Sequence, residues 1–497
     1  MLASFVSAWE DPFTWAWFIR RVRDFCAEGM SVVSVKFLFF VAGSCLTYYL
    51  TPRRLRHYTL LIASCFFYCL FSCKAAAFLG ASALSVYGCG LLVARHRRLA
   101  TFSAVAVNLG LLIYAKYANL LWPGASVIVP LGISFYTLQA ISYIVDVSRG
   151  TCAAEKNPLR LLLYLTFFPI IMQGPISRYG QLAGQLWEGH RFSLDRTRDG
   201  AQLMLWGFFK KMVIADRAAL FVNSVYAVDS TSGGFMVVIA TLLYAVQIYT
   251  DFSGCVDISR GIAQCFGIEL VDNFQRPYFA SSIKDFWRRW HISLSTWLKD
   301  YVYIPLGGNR HGTFRKHLNV VLVFAVSGLW HGTGCNYFIW GLLHGFYQIA
   351  DSATAKARNR LYDLMAVPRN TFSFVWAERA FAFLLVAFAW IFFRATDVSH
   401  ACSLIGRIFE WNPWVLTDGT LLKAGLATPD WFVLLAAIPV LVAVSSLKER
   451  GYRLRECLNR QIFWFRWLVE YSAIVITLLA GVYGPGYAAS QFIYMQF

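Results

Sequence analysis

Five stretches of this chain stay apolar for about as many residues as a helix needs to cross a lipid bilayer. They are residues 31–50, 75–94, 99–121, 318–350 and 374–393, each at or near the roughly 20 residues that span the hydrocarbon core. A backbone at that depth finds no water, so it must satisfy its own hydrogen bonds, which only helices and closed barrels do. Barrel strands are short and alternate in polarity, whereas these runs are long and continuous. The expected fold is therefore an all-α polytopic membrane protein with about 11–13 membrane segments. Composition agrees: 58% of the 497 residues are hydrophobic and only 14% charged, where a soluble domain is about a quarter charged.

The chain has 45 Lys and Arg against 27 Asp and Glu, a formal charge of +18. In a soluble protein that excess would suggest nucleic acid. Here no nucleic-acid partner is expected, because short basic loops face the cytoplasm and the anionic leaflet of the bilayer. Arg53, Arg54 and Arg56, then Arg95, Arg97 and Arg98, then Arg149, Lys156 and Arg160 occupy alternate connections. The connections between them, near Lys74 and at 122–125, carry almost no charge, which places the N-terminus outside. Arg20, Arg21 and Arg23 run against that orientation. The first 25 residues place acidic side chains before basic ones, so they read as a tryptophan-rich interfacial segment and not a cleaved signal peptide. The twelve cysteines form no C-x-x-C pair. Cys65, Cys69 and Cys73 share a helical face and read as packing, so no metal site is expected.

After residue 160 the pattern turns irregular. Pro169, Gly174 and Pro175 interrupt one apolar run, and Lys210, Lys211 and Asp216 charge another. Irregular backbone at membrane depth is tolerated only where protein or an aqueous cavity surrounds it. The middle of the chain is accordingly where a site is expected.

Two histidines stand out in that region. His291 lies in RPYFASSIKDFWRRWHISLSTWLKDYVY, where Trp287, Trp290 and Trp297 interleave with Lys284, Arg288, Arg289 and Lys299. An amphipathic helix at headgroup level explains the tryptophans and arginines; it does not explain His291. His331 lies in VSGLWHGTG, inside an apolar run, where an ionisable ring is costly and points to function. Gly328 and Gly332 read as close helix packing, and Gly332-Thr333-Gly334 predicts a helix break beside the ring. GLWHG is echoed by GLLHG at 341–345. Thirteen residues of continuous helix would set His344 about 20 Å from His331 on another face, so His344 is expected to be structural and remote. Asp257 is expected to pair with Arg260 three residues on, leaving Asp251 as a weaker site candidate.

Neutral imidazole suits general-base work near neutral pH, and no G-x-S-x-G setting accompanies either histidine. The chemistry that fits is direct transfer, with histidine taking a proton from an acceptor hydroxyl as it attacks an activated acyl group.

Taken in order, PLGISFYTLQAISYIVDVSRG, FFPIIMQGPISRY, LWGFFKKMVIAD, DFSGCVDISRG, the RPYF block and SGLWHG resemble the membrane-bound O-acyltransferase family, most of all its alginate O-acetyltransferase branch. The resemblance spans roughly residues 125–400 and implies a division into an N-terminal interfacial segment with membrane helices (1–125), a catalytic core (126–400) and C-terminal membrane helices (401–497). It implies a ring of membrane helices around a thinned centre, with re-entrant and interfacial helices and a tunnel between the two faces. It implies a bacterial inner-membrane enzyme that takes acetyl groups from a cytoplasmic donor, acetyl-CoA, with no resident cofactor. The acceptor would be an outer polysaccharide such as alginate, reached directly or through a periplasmic acetyltransferase of a polymer-secretion complex. The family's reactive histidine falls on His331, and its second polar position, Asn or His among members, falls on His291. Arg288 and Arg289 become a docking surface for CoA phosphates, with a solvated interface as the equal alternative. Met172-Gln173 departs from the small or apolar pair expected there. The rival reading is a polysaccharide or small-molecule transporter, since broken helices and buried histidines also mark transport paths.

Overall fold

The computed structural model describes residues 31–483 except 72, 123, 125, 126, 128 and 172. The interfacial segment expected at the N-terminus and Met172 lie outside the described residues. Among the described residues every regular element is helical.

The first helix, α1 (Val35–Leu50), begins where Ser34 Oγ accepts the Phe37 N–H at 3.2 Å, filling one of the donors a helix start leaves open. It is followed by α2 (Arg56–Phe71) and by the 49-residue α3 (Cys73–Leu121). Straight, α3 would reach roughly 75 Å, far more than a bilayer. It folds back at His96, whose φ of −133° and ψ of 57° leave the helical region. The fold-back brings Ser82 Oγ to within 2.5 Å of Asn108 Oδ1. The expected runs 75–94 and 99–121 are thus two arms of one hairpin with Arg95, Arg97 and Arg98 at its bend.

Next come α4 (Ile133–Arg149), α5 (Pro158–Thr166) and α6 (Tyr179–Glu188). Asn157 caps α5 by accepting the Leu159 N–H, and Pro158 occupies the first turn where its missing N–H costs nothing. The chain then builds its most tightly packed pair, α7 (Leu194–Phe208) against α9 (Gly234–Cys265), with α8 (Asp216–Val225) between them in sequence. Gly200 meets Gly261 and Gly207 meets Gly254 so closely that a Cβ on Gly200 or Gly207 would lie 2.6 Å from the opposing carbonyl oxygen. Seven-residue spacing on both helices repeats the contact two turns on, and small residues permit that approach in a membrane.

Between α7 and α8 the backbone widens into a π-helical turn at Phe209–Ala215. The turn directs Lys211 between Asp216 at 2.8 Å and Asp251 at 2.7 Å, while Lys210 Nζ lies 2.8 Å from Asp257. The charges that made this run irregular in sequence are buried and paired, as desolvated ions must be. The expected Asp257–Arg260 pair is present at 3.8 Å but is the longer of the two contacts to Asp257.

The remaining α-helices of seven residues or more are α10 (Ile283–Arg289), α11 (Ile292–Leu298), α12 (Gly312–His331), α13 (Cys335–Leu364), α14 (Phe372–Arg394), α15 (Val398–Ile408), α16 (Thr428–Glu449) and α17 (Phe463–Ala480). By length and composition, five described helices can cross a membrane: those covering 75–121, 234–265, 372–394, 428–449 and 463–480. The shorter and more polar helices are packed among them. The basic connections gather on one face. Arg53 donates to the Gly189 carbonyl, Arg160 lies over Trp187, Arg97 donates to Ser148, and Arg149 donates to the Asp300 carbonyl.

Candidate active site

The helix break expected beside His331 is present: α12 ends on that residue, Gly332 is extended, and α13 starts at Cys335. The two helices run antiparallel and in close contact. A Cβ at Gly328 would lie 2.5 Å from the Tyr337 carbonyl oxygen, and one at Gly341 would lie 2.3 Å from that of Phe324. The first glycine of GLWHG and the first of GLLHG therefore serve the same hairpin, one from each side.

That hairpin corrects the expected separation of the two histidines. His331 packs edge-on to Trp340 at 5.0 Å, and His344 packs on Trp340 at 5.2 Å. The ~20 Å estimate assumed continuous helix; the turn at 332–334 folds it away, and one indole joins the two imidazoles. Their surroundings nevertheless differ. His344 is fully buried among Phe286, Trp287, Phe324 and Trp340, and neither ring nitrogen has a hydrogen-bond partner among the described residues. His331 is also buried, but it sits at a helix terminus against Trp330, Trp340 and Phe393.

His291 joins the same cluster from another direction. It is the hinge between α10 and α11, with φ 42° and ψ 54° in the left-handed region that side chains other than glycine rarely adopt. Its ring lies 6.1 Å from Trp330 and 4.8 Å from Phe252 of α9. Asn273 holds the hinge. Its carbonyl accepts the Ile292 N–H at 3.0 Å, and its side-chain Oδ1 accepts both the Ser293 N–H at 3.0 Å and the Ser293 hydroxyl at 2.9 Å. The His291 Nδ1 lies 3.3 Å from that same Oδ1. An amide oxygen only accepts, and the Ser293 N–H fixes which end of the amide faces inward. The proton therefore belongs on Nδ1, leaving Nε2 as the acceptor nitrogen of the ring.

A cavity of about 770 Å³ follows one face of α12. It opens among Lys284, Lys299, Arg310 and Lys316, close to the face where Arg149 and Asp300 meet, and deepens past Trp287 and Phe324 to Ser327. From His317 to Ser327 the cavity follows about 15 Å of helix. Ser327 and His331 are four residues apart, hence on the same face. Ser327 Oγ is buried and has no hydrogen-bond partner among the described residues. The two arginines expected near the donor diverge. Arg288 is exposed, one turn from Lys284, which lines the cavity. Arg289 is held by Asp285 at 3.0 Å and by both carboxylate oxygens of Glu449 at 3.0 Å.

The weaker candidate Asp251 belongs to the Lys211 triad described above. Sequence reasoning missed Asn273, which carries no pattern of its own, and Lys116, which did carry one. Lys116 is the single Lys or Arg in the apolar run 99–121, and a cation at that depth is a site signal. Its ammonium donates to the Trp330 carbonyl at 2.5 Å and lies 5.7 Å from that indole.

A helical hairpin whose first arm ends on a buried histidine, with a second histidine in the same aromatic cluster and a basic-mouthed cavity along one face of that arm, fits group transfer in a protein with several helices able to cross a membrane. Comparison with known proteins makes the class specific. The family model for the membrane-bound O-acyltransferases matches residues 154–394. A Pseudomonas putida protein described as "Probable alginate O-acetylase AlgI" is 36% identical over 392 residues, covering 75% of this chain and 78% of the relative. The peptidoglycan O-acetyltransferase of Helicobacter pylori is 32% identical over 395 residues, covering 71% and 73%. The teichoic acid D-alanyltransferase of Bacillus subtilis is 30% identical over 231 residues, covering 43% and 56%. The chain belongs to the membrane-bound O-acyltransferase family and is a multi-pass membrane O-acyltransferase.

Proposed function

We propose that this enzyme moves acetyl groups from acetyl-CoA on the cytoplasmic side to hydroxyls of a polysaccharide on the outer side of a bacterial inner membrane. The observation that carries this reading is the cavity on α12, whose cationic mouth suits phosphates and whose inner end lies one helical turn from His331. Its mouth lies on the face that collects the basic loops, which is the cytoplasmic face by the positive-inside rule. Arg288 adds a phosphate contact beside Lys284, while Arg289 positions α10 through Asp285 and Glu449.

In the reaction His331 accepts the proton of the acceptor hydroxyl as that oxygen attacks the thioester carbonyl carbon. The carbon–sulfur bond breaks, the ester forms, and the thiolate leaves with the proton from the imidazolium. His291 orients the reactants; with its proton on Nδ1 it offers an acceptor at Nε2, which suits orientation better than polarisation of the thioester carbonyl. The similarity to alginate and peptidoglycan acetyltransferases favours a glycan acceptor, reached directly or through a periplasmic acetyltransferase partner.

The test is purified enzyme in nanodiscs with acetyl-CoA and either oligomannuronate or a peptidoglycan fragment, following free CoA thiol and acetyl ester together. Loss of a positioned general base costs roughly 10² to 10⁴ in rate, so His331→Ala should lose at least that much while remaining monodisperse. Near-native ester formation by His331→Ala overturns the assignment of the base, and failure of the enzyme to release CoA with either acceptor overturns the donor.

A further inference from the structure

We infer that Lys116 is a positioning residue for the transfer reaction, capping from a neighbouring helix the carbonyl end of the helix that carries His331. The inference rests on the reading of His331 as the base. Because α12 stops at His331, its last carbonyls lack the N–H groups that a further turn would supply. The Gly332 N–H reaches the Gly328 carbonyl at 3.3 Å. The next two carbonyls are met by consecutive side chains of α3: the Tyr117 hydroxyl donates to Leu329 at 3.2 Å, and the Lys116 ammonium donates to Trp330 at 2.5 Å.

A water molecule or a hydroxyl could satisfy a carbonyl, but a cation does more at this end. The C-terminus of a helix carries partial negative charge, which an ammonium offsets. Lys116 also lies 5.7 Å from the Trp330 ring, within the range of cation–π attraction. Trp330 itself is held by Phe135 at 5.8 Å and by donation from Nε1 to the Ser134 carbonyl at 3.3 Å. It contacts His331 at 4.8 Å and His291 at 6.1 Å. One ammonium therefore fixes both the peptide that precedes the base and the indole that separates the two histidines. Lys116 carries no proton in the reaction; it holds the helix end where the base works.

The experiment compares native enzyme with Lys116→Met, Lys116→Arg, Lys116→Ala and His331→Ala in nanodiscs, measuring kcat, the KM for acetyl-CoA, and size-exclusion profile. Misplacing a catalytic group by about an ångström costs up to about a hundredfold in rate. Lys116→Met is expected to lose about tenfold to a hundredfold in kcat with its donor KM within about twofold of native. Lys116→Arg keeps a charged donor and should retain more kcat than Lys116→Met. Added propylamine should restore part of the kcat of Lys116→Ala and none of that of His331→Ala, a response that a purely structural cavity would not give. The inference is overturned if Lys116→Met keeps native kcat while His331→Ala is inactive, or if the loss lies wholly in KM. It is equally overturned if neither the arginine nor the amine recovers any turnover. Should His331→Ala stay active, it is the underlying reading of the base that fails.

Discussion

Replacing Asn273 by Ala should uncouple His291 from the site. In the native protein Oδ1 accepts the N–H and the hydroxyl of Ser293 and faces Nδ1 of His291. Truncation strands these donors unequally. The Ser293 hydroxyl can rotate, but its N–H lies in the first turn of α11 and cannot turn away. A buried donor left unmet costs about 1–3 kcal/mol, and a second net hydrogen bond about 1 kcal/mol. The left-handed backbone at His291 adds about 1–2 kcal/mol of strain that the bonds on either side currently hold in place. We expect a stability loss of about 2–3 kcal/mol and a fall in kcat of about 10²-fold as the ring drifts from its position. Thermal unfolding in detergent reads the first quantity and CoA release the second. A double-mutant cycle separates the cause: in a His291→Gly background, where neither the ring nor the strain remains, Asn273→Ala should cost little further activity. If the two losses simply multiply, Asn273 acts somewhere other than through His291, and the hinge argument is wrong.

Two further substitutions test neighbouring parts of the structure. His344→Phe should keep kcat within a few-fold of native, because the ring makes aromatic contacts and neither nitrogen has a partner to lose; an inactive but folded His344→Phe would reassign the chemistry to the second histidine. Lys211→Met should destabilise the enzyme by about 3–5 kcal/mol, since it leaves two buried carboxylates without their shared cation. Combining it with Asp251→Asn and Asp216→Asn should recover part of that loss in a melting experiment, and no recovery would mean that the triad is not a charge-balancing device.

Much of the fold was legible in the sequence because the membrane makes backbone satisfaction and side-chain polarity into strong constraints. Residues 374–393 and 31–50 could be read as helices from apolar length alone, and the observed helices, Phe372–Arg394 and Val35–Leu50, match them to within four residues at each end. The break at 332–334 was legible from two glycines, whereas the charges at Lys210, Lys211 and Asp216, which pointed to a site, turn out to be paired with carboxylates or a lysine across the packed helices. The relation between His331 and His344 was not legible. A spacing argument is valid along one element, and the glycines that predicted the break also ended that element. Once the chain turns at Gly332, position along the sequence no longer measures distance: Gly328 and Gly341 draw the two arms together, and both histidines pack against Trp340. The echo of GLWHG in GLLHG reflects this, since a tight antiparallel pair needs a small residue on each arm at the crossing. What distinguishes the two rings is what surrounds them. His344 sits in mid-helix among aromatic rings, whereas His331 closes a helix whose terminal carbonyls are held by Lys116 and Tyr117 from another helix. Lys116 was visible as the lone cation of its run, but its partner is a backbone carbonyl more than 200 residues away, and backbone partners leave no trace in a pattern of side chains.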